Sequence, residues 1–214
     1  MLQATNEARF WDRIARRYAN DTIKDMPGYE RTLERTRQFL SPSSTVLEIG
    51  CGTGTTALRL APSVARIVAS DISSEMISIA REKAAAQGCG NAVFELARAD
   101  GSHGPESTYD AVLAFNLLHL IAGRQSTLAN ISRQLKPGGL FISKTPCLSE
   151  MNPLIRIAVP VMRLAGKAPV VSFFTAKEIE AEIAGAGFTI TARERHGSGR
   201  KDSRIFIVAQ KPAG

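Results

Sequence analysis

Cysteine is scarce in this chain: three residues, Cys51, Cys89 and Cys147, in a length of 214. They are too few and too scattered for a disulfide framework. No Cys-x-x-Cys or Cys/His cluster is present, so no structural zinc or other metal site is expected. A chain of this length buries a full core without covalent staples. Long hydrophobic runs are also missing, and no stretch approaches the roughly 18 uninterrupted apolar residues of a membrane span. The opening MLQATNEARFWDRIARRYAND carries charges throughout and no apolar segment. It does not read as a secretory signal, and a reducing, cytoplasmic home is the expectation. Aromatic residues are only 6%, and no separate basic domain stands out, so no nucleic-acid partner is expected.

What is present is positive charge, with a formal net of +7. It lies late in the chain. Residues 151–170 hold Arg156, Arg163 and Lys167 with no acid, and residues 193–204 hold Arg193, Arg195, Arg200, Lys201 and Arg204 against only Glu194 and Asp202.

Hydrophobic periodicity predicts a helix over 8–20, with Phe10, Trp11, Ile14, Ala15 and Tyr18 on one face, and a second over 29–40. Short β-rich runs then alternate with helices. Strands are expected at 45–49, 65–70, 92–96, 111–115 and 140–144, and Lys136-Pro137-Gly138-Gly139 forms a tight turn before the last of these. Thr175-Ala176-Lys177-Glu178 fits a capping box opening a helix that ends near Gly185 or Gly187. Strands at 188–193 and 205–210 close the chain as an antiparallel pair. Alternating strands and helices predict βαβ units, hence a parallel sheet covered on both faces in a single domain over 1–214. Residues 1–40 and an insertion at 148–174 are expected to cap the mouth of the site.

The strongest signal is Glu48-Ile49-Gly50-Cys51-Gly52-Thr53-Gly54, where the first strand turns into a helix. Glycines there let the backbone turn sharply and approach a ligand closely. Asp71 ends the second strand, where an acid accepts hydrogen bonds from ribose hydroxyls, and Asp100-Gly101 follows the third. Each acid alone says little; the ordered set, each after its own strand, says more.

In order, VLEIGCGTG, ASDIS, RADG, YDAVLAFNLLHLI and LKPGGLFIS resemble the successive motifs of class I S-adenosylmethionine-dependent methyltransferases, over about residues 45–145 and more loosely over 175–210. The resemblance implies a Rossmann-like seven-stranded α/β sheet of order 3-2-1-4-5-7-6 with strand 7 antiparallel. It implies S-adenosyl-L-methionine as cofactor, with S-adenosyl-L-homocysteine as product. Gly50, Cys51, Gly52 and Gly54 would wrap its methionine and ribose portion, with Glu48 near the amino group. Asp71 would bind the ribose and Ile72 would lie beside the adenine, with Met76 packed nearby. Asp100 and Gly101 would flank the base, Asn116 and Leu117 would face the methionine moiety, and Tyr18 would reach its carboxylate from the N-terminal helices. His119, four residues past the fourth strand, is the candidate catalytic residue, as base or to position the acceptor. A buried histidine bonded to backbone is the plainer alternative.

Two other functions compete. Gly52-x-Gly54-x-x-Ala57 formally matches the dinucleotide fingerprint of an NAD(P)-dependent oxidoreductase, although no Tyr-x-x-x-Lys pair follows. A non-catalytic cofactor-binding module is the other, since fold does not imply turnover. The expected acceptor is a small amphiphilic or hydrophobic molecule, with a phospholipid or quinone precursor as the sharper form. The apolar, acid-free segment 151–167 has two readings. One is a cap helix burying Leu154, Ile155, Val159 and Met162. The other is a peripheral contact with an anionic membrane, at the inner membrane surface.

Overall fold

The computed structural model describes residues 2–101, 103–199 and 202–214. Arg200 and Lys201 of the late basic stretch lie outside the described residues. Seven strands form one sheet: β1 (Thr45–Ile49), β2 (Arg66–Asp71), β3 (Ala92–Leu96), β4 (Tyr109–Phe115), β5 (Leu135–Pro146), β6 (Thr189–Glu194) and β7 (Arg204–Gln210). Their order is β3-β2-β1-β4-β5-β7-β6. β1 through β5 pair in parallel, and β7 runs antiparallel to both β5 and β6. This is the expected Rossmann-like α/β sheet.

Central strands here are apolar on both faces because helices cover both. On one face Val46, Ile67, Leu113, Ile142 and Phe206 pack with Leu33 of α2 (Met26–Arg37), Leu58 of α3 (Thr55–Leu60) and Ile77 of α4 (Ser74–Ala86). On the other, Leu47, Ile49, Val112, Phe141 and Ile207 pack with Leu128 and Ile131 of α5 (Arg124–Gln134) and with Ile179 and Ile183 of the helix at Ala176–Gly185. The first helix, α1 (Leu2–Asn20), lies outside this frame. It sets Ala15 against Met76 and Ile79 of α4, with Trp11 and Ala19 alongside.

Helix starts follow the sequence chemistry. The Ser73 hydroxyl accepts from Met76 N at the head of α4. Thr175 and Glu178 form a reciprocal capping box. Two expectations are revised. β5 begins at Leu135, not 140. Tyr109 pairs with Leu135 ahead of a register shift, Gly138 takes φ 75°, and Lys136 Nζ donates to Asp110 Oδ1 at 2.7 Å, so the predicted turn becomes the bent start of the strand.

The second revision concerns 148–174. A helix, α6 (Ile155–Leu164), forms despite carrying Pro160, and none of its residues is buried. Ile155 and Val159 are half-buried, but Leu154 is 66% exposed, Ile157 68%, Val161 61% and Met162 45%. The helix at Ala176–Gly185 follows as α7. No helix among the described residues is long and apolar enough to cross a membrane.

Candidate active site

The carboxyl ends of parallel strands, at the point where strand order reverses, are where such sheets bind ligands. Here β1 lies between β2 and β4, and a cavity of about 1160 Å³ opens over those strand ends. The glycine loop forms its floor. Gly50 (φ 68°) and Gly52 (φ 54°) occupy the left-handed region that glycine tolerates. At Gly50 a Cβ would come within 2.5 Å of Leu117 Cδ1, so the loop is seated on a residue just past the end of β4. At Gly52 a Cβ would point into the space below Tyr18, whose Cε1 is 3.9 Å away.

Asp71 braces the loop from the next strand. Its Oδ2 accepts from Gly52 N and its Oδ1 from Ser73 N, each at 2.9 Å. Burial pushes its carboxyl pKa up against these hydrogen bonds. Each oxygen keeps a further lone pair for a ligand hydroxyl.

Glu48, at the end of β1, is 2% exposed, and its Oε2 has no hydrogen-bond partner. Burial, with Asp71 close by, raises its pKa to about 8. A buried acceptor without a donor is costly. A cation supplied at the cavity wall would satisfy it and return it to the ionised form. The Cys51 thiol is pushed up by burial and then by Glu48 and Asp71, so it is a protonated packing group.

Of the other predicted residues, Tyr18, Ile72, Met76, Asp100, Asn116 and Leu117 also line the cavity. Met76 is at the same time 2% exposed and packed on α1. Asn116 takes φ 52° where β4 ends, a conformation asparagine adopts more readily than most residues. Asp100 is held in a two-pronged pair with Arg98, Nε to Oδ1 at 2.8 Å and Nη2 to Oδ2 at 3.1 Å.

Three predicted residues are not among the lining side chains. Gly54 caps α3, where a Cβ would lie 2.7 Å from Phe94 and 2.8 Å from Ala80, so close packing demands the glycine. Gly101 sits in a turn, its N bonded to Arg98 O. His119 lies in a 3-10 turn with Nδ1 3.4 Å from Thr145 Oγ1. Burial, and then Arg204, lowers its pKa to about 4, so it is neutral at physiological pH.

The sequence reading missed Thr32, Lys144 and Arg204, which line the cavity beyond Asn116. Lys144 is 8% exposed, on the same face of β5 as Ile142. Its position after the apolar run Leu-Phe-Ile-Ser was the available signal, since a lysine inside a buried strand needs a reason.

The fold and this cavity define a Rossmann-like domain with one large cavity over its strand ends, of the kind that takes a nucleotide-like ligand. Residues 46–139 match the family described as Methyltransferase domain. Demethylmenaquinone methyltransferase from Symbiobacterium thermophilum is 30% identical over 155 residues, covering 68% of this chain and 59% of that protein. Phosphoethanolamine N-methyltransferase 1 from Arabidopsis thaliana is 30% identical over 127 residues, covering 56% of this chain and 26% of its own. The chain thus spans less than two thirds of the length of these curated relatives. The crystal structure of YcgJ from Bacillus subtilis superimposes with a TM-score of 0.71 at 18% identity, covering 86% of this chain and all (100%) of that one. Over residues 46–139 the chain is thus similar to the S-adenosylmethionine-dependent methyltransferases, a family whose cofactor is S-adenosylmethionine.

Proposed function

We propose that this protein transfers a methyl group from S-adenosylmethionine to a small, amphiphilic acceptor. The observation that carries this reading is Glu48 Oε2, a buried carboxylate oxygen without a donor at the wall of a large cavity. In this reading Glu48 meets the cofactor's ammonium group, Gly50, Cys51 and Gly52 cradle its methionine portion, and Asn116 and Leu117 border it. Asp71 takes the ribose hydroxyls, Ile72 and Met76 pack against the base, and Tyr18 closes the cavity from α1. Asp100 reaches the adenine only if it gives up part of its pair with Arg98. When bound, the cofactor supplies an electrophilic methyl group on a good leaving group. The chain's own work is to align the acceptor and exclude water.

The acceptor's character follows from the rest of the wall. Leu120, Ile121 and Val170 give it an apolar side, while Lys144 and Arg204 give it a polar end. That combination suits an amphiphile, and the relatives named above for demethylmenaquinone and phosphoethanolamine support a quinone or phospholipid precursor as the finer form. His119 serves better here by holding Thr145 than as a base, since a group with a pKa of about 4 is a weak base at neutral pH. The exposed apolar face of α6 favours the membrane reading of 151–167 over a buried cap helix.

Calorimetric titration with S-adenosylmethionine, S-adenosylhomocysteine and NADH tests the reading. Binding of the two sulfur ligands and not of NADH is the expected outcome; binding of NADH alone reinstates the oxidoreductase, and binding of none points to a degenerate or partner-dependent fold.

A further inference from the structure

Beyond Asn116, the cavity wall connects to the molecular surface through a chain of four polar side chains. Lys144 Nζ lies 2.7 Å from Thr32 Oγ1, on α2. Thr32 Oγ1 lies 3.1 Å from His196 Nδ1, in the loop after β6. His196 Nε2 lies 2.9 Å from Glu194 Oε2, at the end of β6. Lys144, Thr32 and His196 are each under a tenth exposed, and Glu194, also paired with Arg35, reaches solvent with a side chain 30% exposed. Lys144 has no ion-pair partner among the described residues.

Donor counting orients the chain. An ionised carboxylate only accepts, so Nε2 of His196 carries the proton that Glu194 receives, and in the neutral ring Nδ1 is an acceptor. The Thr32 hydroxyl then donates to Nδ1 and its oxygen accepts from Lys144. In the structure the Thr32 hydroxyl donates instead to Gly28 O, 2.8 Å away, the orientation that goes with a donating His196 Nδ1. When His196 takes a second proton, the hydroxyl turns to that carbonyl and the ring donates in its place. Both protonation states therefore leave every group in the chain partnered.

We infer that Lys144 is the general base of the transfer and that Thr32, His196 and Glu194 relay its proton out of the cavity. This rests on the methyl-transfer reading. As the acceptor N–H or O–H forms its bond to carbon, the carbon–sulfur bond breaks, and its electron pair stays on sulfur to give a neutral thioether. The acceptor's proton goes to the Lys144 amine. The resulting ammonium donates through Thr32 to His196 Nδ1, and the imidazolium is held by Glu194 until water takes the proton. Burial lowers the Lys144 pKa, which favours the neutral amine that such a base requires. The charges facing it come from several elements: Asp202 and Asp25 work against that lowering, Arg204 and Arg31 with it, and Glu48 and Tyr29 share the cavity wall.

The test uses the full chain with carbon-13-labelled lysine and nitrogen-15-labelled histidine, observed by NMR across pH, free and with S-adenosylhomocysteine. The Lys144 signal is assigned by its loss in Lys144→Met, an apolar replacement suited to a buried site. Expected is a Lys144 titration below that of every other lysine, a proton on His196 Nε2 toward Glu194, and a displaced Lys144 titration in both His196→Gln and Thr32→Val. Titration of Lys144 together with the surface lysines overturns the proposal, as does indifference of that titration to both relay variants. Calorimetry separates the two layers. S-adenosylmethionine affinity unchanged in Lys144→Met supports a role beyond cofactor binding, whereas a tenfold or greater loss would place Lys144 in the cofactor site and end the relay. Failure of the unsubstituted protein to bind the cofactor counts against the methyltransferase reading, while the NMR coupling still judges the relay.

Discussion

At the scale of single residues, the glycine loop separates two uses of the same residue type. Gly52 and Gly54 both sit at positive φ, yet a Cβ at Gly52 meets open cavity while one at Gly54 meets Phe94 and Ala80 below 3 Å. Gly54→Ala should therefore destabilise by about 3 kcal/mol or more, combining backbone strain with overpacking. Gly52→Ala should cost only the strain, about 1–2 kcal/mol, but lose cofactor affinity by tenfold or more because the methyl group enters the ligand's space. Urea denaturation and calorimetry on the two variants check the split; equal stability losses would show that the loop is not shaped as described.

Glu48 makes a prediction about pH. Its folded pKa of about 8 lies above the ordinary 4.5, so between those values the native state holds a proton that the unfolded chain has released. Stability from this group is complete below about pH 4.5 and is lost as pH rises through 8. The ligand-free protein should accordingly melt at falling temperature from pH 5 to 8.5, and Glu48→Gln should flatten this slope. In the proposed reading the cofactor's ammonium group meets the Glu48 carboxylate, so affinity should rise over the same window in the native protein and lose that rise in the variant. Melting curves and titrations at several pH values decide; an unchanged slope in Glu48→Gln would place the proton elsewhere.

At the scale of elements, local chemistry carries most of the description. The capping box at Thr175 and Glu178, the cap at Ser73 and the apolar strand runs were legible because each is a short-range signal with a short-range cause. Thr175→Ala should cost about 1 kcal/mol, seen as a lowered urea midpoint without a change in cofactor affinity, since α7 covers the face of the sheet away from Lys144. Other features depend on contacts distant in sequence. β5 starts five residues early because Tyr109 offers Leu135 a partner, and no window of sequence contains both. The acids and glycines of the candidate site were legible because they lie at or just past strand ends. Thr32, Lys144 and His196 were not, because 112 residues separate Thr32 from Lys144 and 164 separate it from His196. Only the sheet order, which brings β5 beside β7 and β6 under α2, assembles them. His119 shows the complementary case: its position after β4 was legible, but not that a 3-10 turn directs its ring to Thr145.

At the scale of the whole molecule, apolar surface and positive charge coincide at one place. The exposed side chains Leu154, at the N-cap, and Ile157, Val161 and Leu164 of α6 recur at helical spacing, where apolar residues would normally face a core. Beside them, Arg13 Nη2 donates to Gly166 O at 2.6 Å, and Arg13, Arg17 and Lys167 surround a small surface cavity with Phe10 and Ile14. An apolar helix face edged by arginine and lysine is the composition of an interfacial segment, with the apolar side among acyl chains and the cations at anionic headgroups. Val170, a few residues on, lines the large cavity, so an amphiphile leaving the bilayer at α6 would have a short path to it. If this is how the acceptor arrives, pelleting with vesicles containing phosphatidylglycerol should exceed pelleting with neutral phosphatidylcholine and should fall with added salt. Ile157→Asp with Val161→Asp should abolish it, and Arg156→Glu with Arg163→Glu should remove the preference for anionic lipid, all without altering S-adenosylmethionine affinity. Pelleting that ignores both pairs of substitutions would mean that α6 meets something other than a membrane, and the acceptor would then have to enter the cavity from water.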